Sequence, residues 1–195
     1  MTAAAFEQKL AGHGAPALMG IKPANIITFS IKNEEEGIRL SSLIKDYNEM
    51  FCGKDLSFFV LCQCPVSCLV MVYRPSALEK QMKRKEITAI LRKCGYRADS
   101  LEDMIVQLGK KIGNHDTWGF PHEIGLFLGY PVEDVIGFMK HKGKDYLYAC
   151  YWKVYSDVER AKSWCMQWEA ARNKALQAVD SGRTISEILK LEEAA

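Results

Sequence analysis

Apolar and polar positions along this chain follow two periods, one of about 3.6 residues and one of two, and the change from one to the other marks the elements. Leu40, Leu43, Ile44, Tyr47 and Phe51 recur at helical spacing until Gly53, and Asn33 with Glu36 makes a capping box ahead of them. That spacing predicts an amphipathic helix. Before it, Asn25 to Ile31 is rich in β-branched and aromatic residues, and after it Leu56 to Leu61 and Cys68 to Tyr73 read as two strands joined around Pro65. Leu78 to Lys93 puts Ile87, Ile90, Leu91 and Cys94 on one face and most of its lysines and arginines elsewhere, which predicts a surface helix ending at Gly95. Ser100 opens another helix, carrying Leu101, Met104, Ile105, Leu108 and Ile112 up to Gly113. The segment 120–138 reads as two short helices meeting at Gly129-Tyr130-Pro131. Tyr146 to Tyr155 sorts into two alternating sets and predicts a strand covered on both faces. Ser156 and Glu159 form a second capping box, starting a long helix to about Val179, and a short helix follows from Thr184.

Strands separated by helices give an α+β fold: one mixed or antiparallel sheet of about four strands, covered by helices. The chain is expected to form a single domain over 1–195, with the C-terminal helices 156–195 packed on it.

Composition narrows the classes. With 48% hydrophobic and 26% charged among 195 residues, the chain can bury a core and is not intrinsically disordered. Its 26 Lys+Arg against 24 Asp+Glu leave a formal charge of +2, too balanced for wholesale wrapping of nucleic acid or an anionic membrane. The first ten residues carry Glu7, Gln8 and Lys9 and lack a signal-peptide core, and no apolar run approaches the roughly 20 residues of a membrane span. The expectation is a cytoplasmic protein with no membrane segment. Seven cysteines, an odd number without secretory context, predict reduced thiols and no disulfide framework.

The most informative stretch is Phe120-Pro121-His122-Glu123-Ile124-Gly125-Leu126-Phe127-Leu128-Gly129-Tyr130-Pro131. Together with His13, Pro16, Gly20, Lys22, Pro23 and Ala24, Tyr73-Arg74, Gly95-Tyr96 and Tyr151-Trp152-Lys153-Val154-Tyr155, it resembles a bacterial family catalogued as domain of unknown function 3793. The resemblance runs through most of the chain and implies membership, with no particular chemistry attached. The family pattern has a cysteine after its first histidine, where this chain has Gly14.

The candidate chemistry lies in two segments. Gly12 to Pro23 reads as a Gly/Pro-rich loop carrying His13 and Lys22, and His122 and Glu123 read as the first turn of a helix, where free N–H groups favour an anion and lower a histidine's pKa. If the two segments share a cavity, His13, His122 and Glu123 would serve as acid/base groups and His13 with His122 as metal ligands. Lys22, Arg74, Tyr130, Lys153 and Tyr155 would hold a small anionic molecule. The residues name no cofactor. Cys62, Cys64 and Cys68 lack the spacing of a zinc knuckle or a redox pair and read as buried thiols, and the Cys64-Pro65 dipeptide is a weak haem signal. Two readings from other classes remain open. One is an interaction or redox-partner module offering the basic residues of Lys80 to Lys93 to an acidic protein. The other is a helix-turn-helix over 122–140, in which Glu133 and Asp134 at the start of the second helix make nucleic acid an unfavoured partner.

Overall fold

A computed structural model gives the fold of residues 1–97, 99–114 and 119–193. Helix α1 (Ala3–Leu18) leads into β1 (Ala24–Ser30), then α2 (Glu34–Met50), the hairpin β2 (Ser57–Cys64) and β3 (Ser67–Tyr73), and helices α3 (Pro75–Met82), α4 (Lys85–Lys93) and α5 (Leu101–Gly113). After these come the single turn α6 (Ile124–Phe127), α7 (Val132–His141), the short strands β4 (Tyr148–Ala149) and β5 (Lys153–Val154), α8 (Val158–Asp180) and α9 (Ile185–Glu193).

The fold is α+β, and its main sheet has three antiparallel strands in the order β1-β3-β2. Strand β3 is central, so alternate side chains must be buried on opposite faces. Cys68, Val70 and Val72 join Ile27, Phe29 and Phe58 in a core closed by α1, α2 and α9. Leu69, Met71 and Tyr73 face Ile26, Phe59 and Leu61 in a second core under α3 to α7. A third, smaller cluster gathers Trp152, Val154, Ala161, Cys165 and Trp168, with Tyr130, Tyr148 and Trp164 against it.

The three sheet strands, α2, α5 and α9 follow the sequence pattern. Asn33 Oδ1 accepts the Glu36 N–H at 2.9 Å and Ser100 Oγ accepts that of Asp103 at 3.0 Å, as N-caps should. Other elements differ from the expectation. Gly12 to Leu18 belong to α1 and are not a loop. Pro16 sits inside this helix, where a missing N–H would normally break it. The Gly12 carbonyl that loses its donor is taken instead by Arg172 Nε at 3.1 Å, and the next amide, that of Ala17, donates to Asn25 Oδ1 at 3.1 Å. Tertiary partners thus replace the helical ones.

The predicted helix 78–93 is two helices, because Arg84 adopts an extended conformation (φ −65°, ψ 126°) at the start of α4. The break lets Leu78 and Met82 on one piece and Ile87 and Leu91 on the other all reach the same core. Tyr146 to Tyr155 is not a fourth strand of the sheet. It folds back on itself as a two-stranded ribbon, Tyr148 opposite Val154 and Ala149 opposite Lys153, and the two arms of a hairpin carry the same alternation as one strand. The cap of α8 is Asp157, which accepts the Arg160 N–H at 3.0 Å, and not Ser156, which donates to Asp134. Cys150 on the ribbon and Cys165 on α8 are joined as a disulfide, against the expectation of reduced thiols throughout; Cys52, Cys62, Cys64, Cys68 and Cys94 are free. Of the three hairpin cysteines only Cys68 is buried, and its thiol is pushed up to about 11 by burial; Cys64 stands exposed at the tip, its thiol lowered chiefly by a hydrogen bond with Ser67. No helix among the described residues is long and apolar enough to cross a membrane.

Candidate functional site

A cleft of about 1050 Å³ opens between α1, the start of β1, the ribbon and α8. Gly12, His13 and Pro16 line it from α1, Tyr130 from the link before α7, Tyr148 and Tyr151 from the ribbon, and Glu159, Lys162, Glu169 and Arg172 from α8. Long polar side chains ring its mouth and answer one another. Glu159 Oε1 lies 2.8 Å from Lys162 Nζ, and the two oxygens of Glu169 take Arg172 Nη1 at 2.8 Å and the Tyr151 hydroxyl at 2.7 Å.

Lys22 is the exception. It lines the cleft, is only 5% exposed, and makes no ion pair and no Nζ hydrogen bond among the described residues. Its neighbours are ring faces: Nζ stands 4.9 Å from the centroid of Tyr130 and 4.4 Å from that of Trp168. Ring quadrupoles favour a cation by about 0.5–2 kcal/mol, whereas the loss of most of its hydration disfavours it by more. Burial wins, and the Lys22 ammonium is pulled down to about 7.

The cage around Lys22 is held from behind. Tyr130 stacks on Trp152 at 5.1 Å with planes 19° apart, and Trp152 meets Trp168 at 5.2 Å. The Trp152 indole N–H donates to Asp134 Oδ2 at 2.7 Å. Asp134, itself 1% exposed, also accepts from the Tyr155 N–H at 2.8 Å, the Ser156 N–H at 2.9 Å and the Ser156 hydroxyl at 2.8 Å. A buried carboxylate so satisfied is a structural clamp. It fastens α7 to the ribbon.

The two segments singled out in the sequence do meet, but through Lys22 and Tyr130 and not through the two histidines. Gly129 (φ +76°) presses on Pro23, whose Cδ would lie 2.6 Å from a Cβ placed there, so that only glycine fits this junction. His13 is exposed at the mouth of the large cleft, its pKa lowered by partial burial and then by the charges of Lys9 and Arg172. His122 lines a different cavity of about 210 Å³, together with Phe120, Asp134, Phe138 and Lys153, and Tyr130 and Tyr151 border both. Its ring packs 4.8 Å from that of Phe138. The pair His13 and His122 therefore does not share a cavity, and no cluster of three His, Cys, Asp or Glu side chains suited to a metal ion occurs among the described residues.

Glu123 diverges from His122, as neighbours on a turn do. It is buried, 3.7 Å from Lys111 Nζ, and its charge adds to burial in raising the pKa of Tyr96. Residues 122 and 123 form a turn, and the helix that follows is only four residues long, so the anion-binding helix start expected at His122 is not built. Arg74 faces backbone: Nε donates to the Ala17 carbonyl at 2.9 Å, Nη1 to that of Asp55 at 3.1 Å, and Nη2 to that of Leu18. It closes the end of α1. Lys153 Nζ donates to the Gly143 carbonyl at 2.5 Å, and Tyr155 stacks on His141 at 5.6 Å. Gly14 faces the core, with Ile27 Cδ1 3.2 Å from where a Cβ would stand, and so lies away from the cleft. In the basic segment Lys80 to Lys93, Lys83 pairs with Glu79 and Arg84 with Glu86.

Two residues of α8 that shape the cleft, Trp168 and Arg172, were not singled out by the sequence. No local signal marks either one. No curated protein and no solved structure matches the chain. A family model described as "Protein of unknown function (DUF3793)" matches residues 10–189, nearly the whole length, and the chain belongs to that family.

Proposed function

We propose that the cleft between α1 and α8 binds a small anionic organic molecule, with Lys22 at its floor. The observation that carries this reading is the solitary Lys22. A buried amine with no carboxylate beside it is costly to keep, and a ligand carboxylate or phosphate supplies the missing partner. The other charges of the cleft support an anion as well, since Glu159 and Glu169 are matched by Lys162 and Arg172 and leave no surplus negative charge at the mouth. The tyrosines Tyr130, Tyr148 and Tyr151 offer flat apolar walls with polar tips, as small-molecule sites do.

The test is thermal unfolding with succinate, pyruvate or inorganic phosphate, for the natural chain and for Lys22→Met. A bound anion stabilises the folded form by mass action. The melting temperature should rise with at least one of the three, more at pH 6 than at pH 8.5, and the rise should vanish in Lys22→Met. Failure of all three to move it, or an equal rise in the variant, overturns the reading.

A further inference from the structure

An alkylammonium ion carries three N–H donors, and burying it calls for acceptors. At Lys22 Nζ the described residues provide only the faces of Tyr130 and Trp168. Two other states of the nitrogen suit such surroundings better. A neutral amine has little hydration to lose, and a protonated imine keeps one N–H and spreads its charge over the C=N bond, where ring faces stabilise it.

Resting on the anion-site reading above, we propose that Lys22 is a nucleophile that forms an imine with a small 2-oxo acid or aldehyde acid held in the cleft. The Nζ lone pair attacks the carbonyl carbon, the C–N bond forms and the C=O π pair moves to oxygen. One proton passes from nitrogen to that oxygen, giving a carbinolamine. Its hydroxyl then leaves with the second N–H proton as water, and the C=N bond takes the freed electron pair. A proton from solvent converts the product to the iminium ion. Nothing is oxidised or reduced, and water is the sole by-product.

Two features favour this step. Burial keeps a large share of Lys22 unprotonated near neutrality, which is how lysine nucleophiles are activated. Apart from the ring face of Tyr130, the groups around the cleft make no hydrogen bond or ion pair with the amine among the described residues: His13 from α1, Tyr148 and Tyr151 from the ribbon, and Glu159, Lys162, Glu169 and Arg172 from α8. Both glutamates are engaged with their own cations, so neither protonates Lys22 permanently by pairing with it. His13 and Arg172 stand in the same cleft to receive the carboxylate of the carbonyl compound.

The full chain is incubated at pH 7 with pyruvate or glyoxylate and sodium cyanoborohydride, which reduces imines to stable secondary amines, and labelled lysines are mapped by peptide mass spectrometry. At this pH an amine of ordinary pKa is neutral in only about 4 molecules in 10⁴, whereas one near 7 is about half neutral. Even after allowing for lower nucleophilicity and restricted access, Lys22 should be labelled at least about tenfold faster than the exposed Lys80 and Lys93. Excess succinate should protect it, and Lys22→Met should leave the surface labelling unchanged. If Lys22 is labelled no faster than Lys80 and Lys93 while succinate still raises the melting temperature, the imine is wrong and the binding site stands. Loss of both effects removes both.

Discussion

Arg172 Nε donates to the carbonyl oxygen of Gly12 at 3.1 Å, filling the one acceptor in α1 that Pro16 deprives of its helical partner. The arginine acts here as a replacement N–H, delivered from a helix 160 positions further along. Removing it should leave a backbone carbonyl unpaired at a cost of about 1 kcal/mol. The coupling is directly measurable. Pro16→Ala returns an amide to that carbonyl, so Arg172→Ala should cost less in the Pro16→Ala background than in the natural chain. Denaturant midpoints of the four proteins give the interaction energy, and strict additivity would show that the two residues do not share this acceptor.

Lys22 sets a pH dependence of stability. Its pKa is about 7 in the folded chain and near 10.4 when unfolded, so between those values the unfolded state holds one more proton. Stability should therefore rise with pH from about 7 to 10, by up to about 1.4 kcal/mol per pH unit from this group, and level off below 7. Lys22→Met abolishes this slope and should be the more stable protein at neutral pH. The difference in unfolding free energy between the two, followed from pH 6 to 9.5, isolates the contribution. A difference that does not change with pH would mean that the amine keeps its ordinary pKa.

Asp134 organises the aromatic cluster without touching the cleft. Asp134→Ala strands the Trp152 indole N–H and two backbone amides, and should cost about 3 kcal/mol or more. Asp134→Asn retains one acceptor oxygen and should fall between. Because Trp152 supports Tyr130, both variants should also weaken the near-ultraviolet circular dichroism of the tryptophans and lower the labelling of Lys22. Loss of stability with an unaltered aromatic spectrum would separate the clamp from the cage.

The sequence revealed the elements whose cause is local. Asn33 and Ser100 cap helices through their immediate neighbours, and the short apolar run Cys68 to Tyr73 is bounded by its own turn residues and suits a strand buried on both faces. Helix α1 was hidden because Gly12, Gly14 and Pro16 all oppose helix formation locally, and what overrides them is Arg172, Asn25 and the core beneath. The ribbon was misread since two hairpin arms and one long strand share a period of two. For the site, Lys22 and Tyr130 were visible as members of two distinctive segments. The isolation of Lys22 was not, because lacking a partner is a property of three-dimensional surroundings. The two histidines drew attention by their chemistry, yet they line separate cavities.

The Cys150–Cys165 disulfide closes a separation of 15 residues, and loop-closure entropy gives it about 3 kcal/mol. Dithiothreitol should lower the melting temperature of the natural chain and leave Cys150→Ser/Cys165→Ser unaffected. Thiol titration in denaturant should find five reactive groups before reduction and seven after. Both cysteines line the cleft, so reduction should also increase access to Lys22.

The closing of α1 by α8 and α9 bears on the order in which the protein folds. Gly12 leans on Arg172, Gln8 on Asp180, and Glu7 accepts the Ile185 amide at 3.2 Å. A helix that carries two glycines and a proline toward its end has little tendency to form alone. Helix α1 therefore settles only once α8 and the start of α9 are in place, and the walls of the cleft around Lys22 assemble late in folding.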